Sequence, residues 1–364
     1  MNPVRPYLHP GLVRLWRGPS SVQLGLEPGR AVLLEGLDPG ARHLLDQLDG
    51  TREMARLRAA AGPTGALLDA LGTAGLLSDA DADTGLGTLA PLDRERLAPD
   101  LASLALEHRS PGAAAARIAR RREQRVLVIG AGRVGAQVAA LLVAAGIGHL
   151  DARDSGVARA ADLAPGGLRA DALGEPREAG VARLLRAVRQ ERPPRHRAAA
   201  AEAPPPTFAV LTPVGLPLPD LPAAVALEQA GVPHLLAGVQ ETTGMVGPLV
   251  LPGVTACLGC RELLRADRDP GWPGIAAQLV DQQRSGLPSA CDVSLSAAVA
   301  AAAAHQVLVV LDGGPPPAAA GGCLELALER WQWRRRSWAV HPACGCRTAQ
   351  RLTSGGGLGE GAPP

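Results

Sequence analysis

Residues 125–154 read RVLVIGAGRVGAQVAALLVAAGIGHLDARD, and this stretch decides the fold of the chain. Its apolar run Val126–Ile129 predicts a buried parallel strand, and the alanine-rich run 136–145 predicts a helix. Between them lies the pattern G-x-G-x-x-G, and a second strand then leads to Asp154. This order of strand, glycine-rich turn, helix and strand is typical of the first βαβ unit of a nucleotide-binding domain.

The three glycines of the turn have separate expected roles. Gly130 allows the tight turn, Gly132 lets a phosphate approach the backbone, and Gly135 lets helix and strand pack closely. The free N–H groups and the dipole of the helix then face the phosphates. Asp154 follows roughly 20 residues later, where an acid accepts hydrogen bonds from ribose hydroxyls. The pattern does not separate NAD, FAD and ATP, and a tight turn without a ligand has the same glycines.

The composition bears on several classes of function. The 364 residues carry a formal net charge of +2, so we expect no nucleic-acid partner. The sequence contains no lysine, and all 37 basic residues are therefore arginine. The N-terminus has no apolar core of signal-peptide length, and the apolar stretch Val293–Leu311 is interrupted by polar residues. We therefore expect a buried helix there, no membrane partner and a cytoplasmic location.

Four regions are predicted along the chain: a small domain (1–80), a linker (81–112), a nucleotide-binding domain (113–347) and a disordered tail (348–364). In the third region strands alternate with helices, which predicts an α/β fold with a Rossmann-like, doubly wound and mostly parallel sheet. The basic cluster 117–122 is expected to be a solvated helix face, unless one of its arginines reaches a phosphate. The segment 193–206, rich in proline and alanine, is expected to be a mobile loop.

The small N-terminal domain is predicted to be α+β. Strands are expected at Ser21–Leu26 and Ala31–Leu34, followed by three short helices, with Thr51 a candidate N-cap for the second. This winged-helix-like order resembles the PqqD-like peptide clamps of ribosomal-peptide maturation proteins. The resemblance implies that an unpaired strand edge binds a leader peptide by β-addition. The alternative is a generic small α+β domain.

Four of the six cysteines form two close pairs, Cys257 with Cys260 in a CxxC and Cys344 with Cys346 in a CxC. Four thiolates suit a closed, tetrahedral and structural zinc site, which would pin the C-terminal segment to the region that follows the sheet. A CxxC also occurs in redox pairs. The second pair and the absence of a strand-then-helix setting favour the metal.

The two remaining cysteines have different expectations. Cys323 is expected to be a buried, small apolar residue. Cys291 stands at the start of a helix, where the dipole would lower the pKa of its thiol, and a nucleophilic role is one reading.

The order of these motifs resembles that of the ThiF/MoeB/HesA family, the bacterial relatives of ubiquitin-activating enzymes, over about residues 115–347. The resemblance implies adenylation of the C-terminal carboxylate of a small protein, with ATP and magnesium, by an enzyme that is usually a homodimer. The positions implied by motif are Gly130, Gly132 and Gly135 for the nucleotide loop, Asp154 for the ribose, Arg177 for the catalytic, phosphate-binding position where the family has lysine, and Cys257, Cys260, Cys344 and Cys346 for zinc.

Several positions depart from the family pattern. Gly156 stands where the family has a second acid, and Pro165 lies in a segment that has lost the family's arginine. Val214 stands where an aspartate helps to hold magnesium, and nothing in the sequence shows that Asp220 substitutes for it. An arginine at position 177 keeps the charge of lysine but not its shape. These losses would remove charge stabilisation as pyrophosphate leaves.

Three functions are compatible with these patterns. The first is an ATP-dependent adenylyltransferase that acts on a peptide or a ubiquitin-like small protein. The second is a weak or inactive relative that binds a precursor leader peptide for a partner cyclodehydratase in ribosomal-peptide biosynthesis. The third is an NAD-dependent oxidoreductase. It is disfavoured because no catalytic His or Tyr motif follows the fold and because the paired cysteines fit the ThiF/MoeB/HesA family better.

Overall fold

The computed structural model describes residues 4–190, 204–284 and 289–346. The predicted tail, and the predicted mobile loop except for its last three residues, lie outside them. The chain divides into two compact units, residues 1–120 and 121–364.

The N-terminal unit contains two small antiparallel sheets and a group of short helices. Its strands are β1 (Pro6–Leu8), β2 (Arg14–Gly18), β3 (Ser21–Leu24), β4 (Val32–Leu34) and β5 (Leu77–Asp79), and its first helices are α1 (Pro39–Asp46), α2 (Met54–Ala61) and α3 (Ala66–Thr73). The sheets have the orders β2-β3-β4 and β1-β5. Leucines from the larger sheet and all three helices form one core. The expected strands and helices are present, whereas the likeness to a peptide clamp remains a prediction.

The start of α2 differs from the prediction. Glu53, not Thr51, is the N-cap residue. Thr51 instead donates its backbone N–H and its hydroxyl to Asp49 Oδ1, at 2.9 and 2.5 Å. An aspartate two residues earlier competes for the threonine and holds it in a turn before the helix.

Residues 91–108, predicted to belong to a linker, form the 18-residue helix α4 (Pro91–His108). A 3-10 helix, Ala82–Thr88, precedes it, and α5 (Ala113–Glu123) follows. Leu97, Leu104 and Ala105 of α4 pack in a cluster with Ala114 and Ile118 of α5. The leucines have helical spacing, and their burial outweighs the polar composition of this stretch.

The C-terminal unit is built on one seven-stranded sheet. Its strands are β6 (Arg125–Ile129), β7 (His149–Arg153), β8 (Phe208–Leu211), β9 (His234–Gln240), β10 (Thr243–Val250), β11 (Gly322–Ala327) and β12 (Gln332–Ser337). The order is β12-β11-β10-β9-β8-β6-β7. The four strands β7, β6, β8 and β9 are parallel, and the other three extend the sheet antiparallel. The carboxyl ends of the parallel strands therefore meet at one edge, where ligands bind in α/β sheets.

Helices cover both faces of this sheet. They are α6 (Arg133–Ala144), α7 (Arg177–Arg189), α8 (Leu221–Gln229), α9 (Leu258–Arg268), α10 (Trp272–Arg284) and α11 (Val293–Leu311). Val126 and Val128 of β6 point into the core formed with α6, α7 and α11, while Leu127 between them points to the opposite face. Ala224 of α8 and Leu258 of α9 are buried on that second face. Burial on both faces explains the continuous apolar strands and confirms the α/β fold.

Helix α11 is long and apolar enough to cross a membrane by length and composition, with a mean hydropathy of 1.8. Leu295, Val299, Ala303 and Val307 recur at helical spacing and are 0% exposed in the main core. The expected buried helix is thus confirmed.

Arg121 corrects the expectation of a solvated basic face. It is only 4% exposed. Its guanidinium donates to both carboxylate oxygens of Asp312, at 2.9 and 2.6 Å, and to the carbonyl of Ala145 at 3.0 Å. This bidentate pair ties the end of α5 to the end of α11.

Candidate functional site

The glycine-rich turn joins β6 to α6, and its first and third glycines are sterically required. Gly130 has a φ of +99°, and a Cβ there would lie 1.9 Å from the carbonyl oxygen of Thr212. A Cβ at Gly135 would lie 2.0 Å from the carbonyl oxygen of Gly130. Turn, helix and β8 therefore pack backbone to backbone.

The second glycine is closed in by a side chain. A Cβ at Gly132 would lie 2.9 Å from a methyl group of Val214. The backbone of Gly132 is thus approached by the apolar residue that stands at the predicted magnesium position.

Asp154, directly after β7, braces the turn. Its Oδ2 accepts the N–H of Ala131 at 2.7 Å, and its Oδ1 accepts the N–H of Gly156 at 2.7 Å. The side chain is 7% exposed. The residue predicted to hold a ribose therefore also holds the loop that precedes the helix.

Arg177, the first residue of α7, lies between two carboxylates. Its Nη1 donates to Asp154 Oδ1 at 3.1 Å, and its Nε donates to Asp162 Oδ2 at 2.9 Å. Burial lowers the pKa of Arg177, but the two carboxylates outweigh burial and the net shift is upward. The predicted ribose acid and the predicted phosphate-binding cation are thus bonded to each other.

Gly156 makes this pairing possible. A Cβ on Gly156 would lie 2.1 Å from Arg177 Nη1. The guanidinium therefore occupies the space that any side chain at position 156 would need, so two of the departures from the family pattern, at positions 156 and 177, are structurally matched.

Two adjoining cavities open at this edge of the sheet, of about 640 and 460 Å³. Ser155, Gly156, Arg177, Pro213 and Val214 line both of them. The larger also reaches Gly132 and the smaller reaches Asp154. Cavities of this size suit a ligand of nucleotide dimensions.

Two arginines that sequence reasoning missed line the larger cavity, Arg133 and Arg159. Arg133 is the first residue of α6, and its position within the glycine pattern was an available signal. Arg159 lies in a loop that is brought to the cavity only by the tertiary fold.

The carboxylates around these cavities are engaged with neighbouring groups. Asp162 is the only acid among the described residues that line the larger cavity, and it is paired with Arg177. Asp220 lines the smaller cavity, where its carboxylate caps α8 by accepting the N–H of Ala223 at 3.1 Å. In a nucleotide site Mg²⁺ is usually held by one or two carboxylates together with substrate phosphates and waters. The donor set of the larger cavity does not fit the magnesium that the family resemblance implied.

The four predicted metal-ligand cysteines come together at the start of α9. Cys257 Sγ lies 3.7 Å from Cys260 Sγ and 3.5 Å from Cys344 Sγ, and Cys260 Sγ lies 3.5 Å from Cys346 Sγ. All four sulfurs lie within 4.8 Å of one another. A tetrahedron with metal–sulfur bonds of about 2.3 Å has sulfur–sulfur edges of about 3.8 Å. The cluster can therefore hold a metal ion with little movement.

The environment of the cluster also suits a metal. Burial raises the pKa of Cys257 to about 12 and also raises that of Cys346. Without an ion these thiols stay protonated, so a metal must displace their protons. The backbone N–H of His341 points at Cys260 Sγ at 3.3 Å, a contact that supports a bound thiolate.

The thiols of the two remaining cysteines both have raised pKa values. Burial raises the pKa of the Cys291 thiol and outweighs the opposite effect of Arg133, and Asp292 rather than Cys291 is the N-cap of α11. The expectation of a dipole-lowered pKa at Cys291 is therefore wrong. Cys323 is 0% exposed, and burial raises its pKa to about 11, which confirms it as a core residue.

Comparison with known proteins agrees with this architecture. Residues 110–203 match the model of the ThiF family. No curated protein sequence matches the chain. Escherichia coli MccB with ATP is similar in structure, with a TM-score of 0.66 and 16% identity over 94% of this chain and 99% of MccB. The Microcin C7 biosynthetic enzyme MccB in complex with N-formylated MccA is also similar, with a TM-score of 0.67 and 15% identity over 94% of this chain and 99% of that protein.

A second similar structure is that of PaaA, with a TM-score of 0.62 and 16% identity over 90% of this chain and 99% of PaaA. Identities this low establish the fold alone. The match to the family model confirms the resemblance to the ThiF family in residues 110–203. The structural comparisons show that the chain has the fold of MccB and PaaA.

Proposed function

We propose that the chain is a ThiF-type, ATP-using adenylyltransferase that activates the carboxylate of a peptide, acting as a cytoplasmic homodimer. The observation that carries this proposal is the pair of adjoining cavities around the glycine-rich turn, with arginines at their walls. MccB, which shares the fold, has been crystallised with ATP and with the MccA peptide, which supports both ligands here.

In this reaction a carboxylate oxygen attacks the α-phosphorus of ATP, the bond to the β-phosphate breaks, and pyrophosphate leaves. The smaller cavity would hold the nucleoside beside Asp154, and the larger would hold the phosphates beside the N-terminus of α6. Preorganised cations at the larger cavity would stabilise the departing charge. Asp154 Oδ2 accepts the N–H of Ala131 and would accept a ribose hydroxyl with its remaining lone pair.

The N-terminal unit would recruit the peptide. Its three-stranded sheet has two edges, β2 and β4, and exposes Leu15, Trp16 and Leu33. An extended peptide can add to such an edge by backbone hydrogen bonds, while apolar side chains contact its residues. A ubiquitin-like small protein remains the alternative substrate.

The cysteine cluster would hold a structural zinc ion. Four sulfur ligands leave no open position for substrate, and soft thiolates favour zinc over magnesium. We therefore assign the zinc to folding rather than to the adenylation step.

A second candidate function is supported by the state of Arg177. Because this cation is bonded to Asp154 and Asp162, and Val214 cannot bind a metal, turnover would be slow or absent. Such a protein would bind a precursor leader peptide and present it to a partner cyclodehydratase.

One experiment separates the two candidates. We would measure ATP binding by calorimetry and then pyrophosphate exchange, with synthetic peptides translated from short reading frames near the gene as probes. The adenylyltransferase predicts peptide-dependent exchange that Asp154→Ala abolishes and Asp171→Ala, an exposed control, preserves. ATP and peptide binding without exchange would establish the scaffold, and absence of ATP binding would refute the nucleotide site.

A further inference from the structure

The charges around the larger cavity differ from those of a metal-dependent phosphate site. Among the residues that the structure describes, three arginines line it, Arg133, Arg159 and Arg177, against a single carboxylate, Asp162. Arg177 is neutralised by Asp162 and Asp154. The positive charge left to a ligand is therefore that of Arg133 and Arg159.

The hydrogen bonds of the Arg133 side chain go to neutral groups. Its Nε donates to the carbonyl of Ala161 at 3.1 Å, and its Nη1 donates to the carbonyl of Cys291 at 2.7 Å. Carbonyl oxygens orient the guanidinium without cancelling its charge, and the exposed carboxylate of Asp292 adds an electrostatic interaction with it. It also stands at the first position of α6, where the helix dipole adds positive potential.

Arg159 is held at its backbone and free at its side chain. Its N–H donates to Asp162 Oδ2 at 2.9 Å, so the same carboxylate that binds Arg177 positions this loop. Within the described part of the chain, its exposed guanidinium has no carboxylate or carbonyl partner. A planar donor fork of this kind matches phosphate oxygens bidentately.

We infer that this site binds the phosphates of a nucleotide without a divalent metal, with Arg133 and Arg159 in the role that magnesium and the family's lysine would have. The inference rests on the proposed nucleotide binding and names which residues bear the charge. Asp162 links the two arginines, since it neutralises the side chain of Arg177 and accepts the backbone N–H of Arg159 in the loop that lines the cavity.

The test compares ATP and adenosine binding to the full chain by calorimetry, in magnesium and in EDTA. The inference predicts that the dissociation constant for ATP changes less than about threefold when magnesium is removed. A loss of affinity above about tenfold in EDTA would overturn it, because a metal bridge to the phosphates would then be required.

Substitution of Arg159 tests whether this residue binds the phosphates. Arg159→Gln should weaken ATP binding by about 10-fold or more, as expected for one charged hydrogen-bonding group, and leave adenosine binding unchanged. Arg159→Lys should recover part of the loss. Arg169→Gln, an exposed arginine that lines neither cavity, is the matched control and should have no effect.

The outcomes separate this inference from the proposed function. Equal binding of ATP and adenosine, or an Arg159→Gln variant with unchanged ATP affinity, would overturn the arginine assignment while nucleotide binding stands. Failure to bind either ligand would overturn both.

Discussion

The cysteine cluster and the sheet edge at Asp154 both bring together residues that are predicted to bind a ligand. The cluster consists of like groups, whereas the sheet edge combines groups of opposite charge. The four thiols make only weak sulfur–sulfur contacts with one another, and their convergence within 4.8 Å suits a metal ion. Asp154 and Arg177 have opposite charges and bind each other at 3.1 Å. Predicted ligand residues of the same kind therefore remain available to a metal ion, whereas predicted ligand residues of opposite charge can bind each other and become part of the structure.

Removal of the metal should have the largest effect on stability. Cys260→Ser, or extraction with a strong chelator, should lower the melting temperature of the C-terminal unit by more than about 10 °C, because structural zinc is worth roughly 10 kcal/mol in small zinc domains. Metal analysis and thermal circular dichroism measure this effect. Cys291→Ser, outside the cluster, is the control, and purified protein that is metal-free yet equally stable would refute the assignment.

Loss of the acid at the sheet edge should be the next largest effect. Asp154→Ala leaves Arg177 with one partner and leaves the N–H groups of Ala131 and Gly156 without an acceptor. We expect the free energy of unfolding to fall by about 3 kcal/mol in urea titration, as for broken buried ion pairs. Asp171→Ala removes an exposed partner of Arg183 and should cost less than about 1 kcal/mol.

The steric fit between Gly156 and Arg177 should have a smaller effect on stability. Gly156→Ala should push Arg177 away from Asp154 and destabilise the chain by about 1–3 kcal/mol, as overpacking does. In Gly156→Ala combined with Arg177→Ala, the cost should be less than the sum of the single changes, because the clash is gone. Gly274→Ala, in α10 with open space around it, should be neutral. Additive costs in the double variant would show that the two residues do not interact.

The smallest effect concerns His234, a histidine that is 0% exposed. Its Nδ1 donates to the carbonyl of Val232, and burial lowers its pKa. The unfolded chain therefore binds the extra proton first, so the free energy of unfolding should fall as pH drops below about 6.5. His234→Gln should flatten this slope in urea titrations at several pH values, whereas the change of exposed His149 to Gln should not. An unaltered slope in His234→Gln would assign the pH dependence to other groups.

Much of the fold followed from local pattern, because each strand of the parallel sheet is a continuous apolar run and each turn has its glycine. The cysteine site also followed, since two short spacings define it. The bond between Asp154 and Arg177 could not be predicted from the sequence, because it depends on how two loops meet above the sheet. Arg159 was missed for the same reason. Helix α4 was missed although its signal was present, since Leu97, Leu101 and Leu104 recur at helical spacing within a polar stretch.

The positions of the cysteines in the chain have a further consequence. Cys257 and Cys344 are 87 residues apart, and the segment between them contains α11, β11 and β12. A metal held by both pairs acts as a cross-link that closes this long loop and reduces the number of conformations open to the denatured chain. For a covalent link around a loop of that length, the entropy model gives about 4–5 kcal/mol. A chain that retains its metal during denaturation should therefore refold from a restricted ensemble, in which the last two strands are already held near the first part of their own sheet.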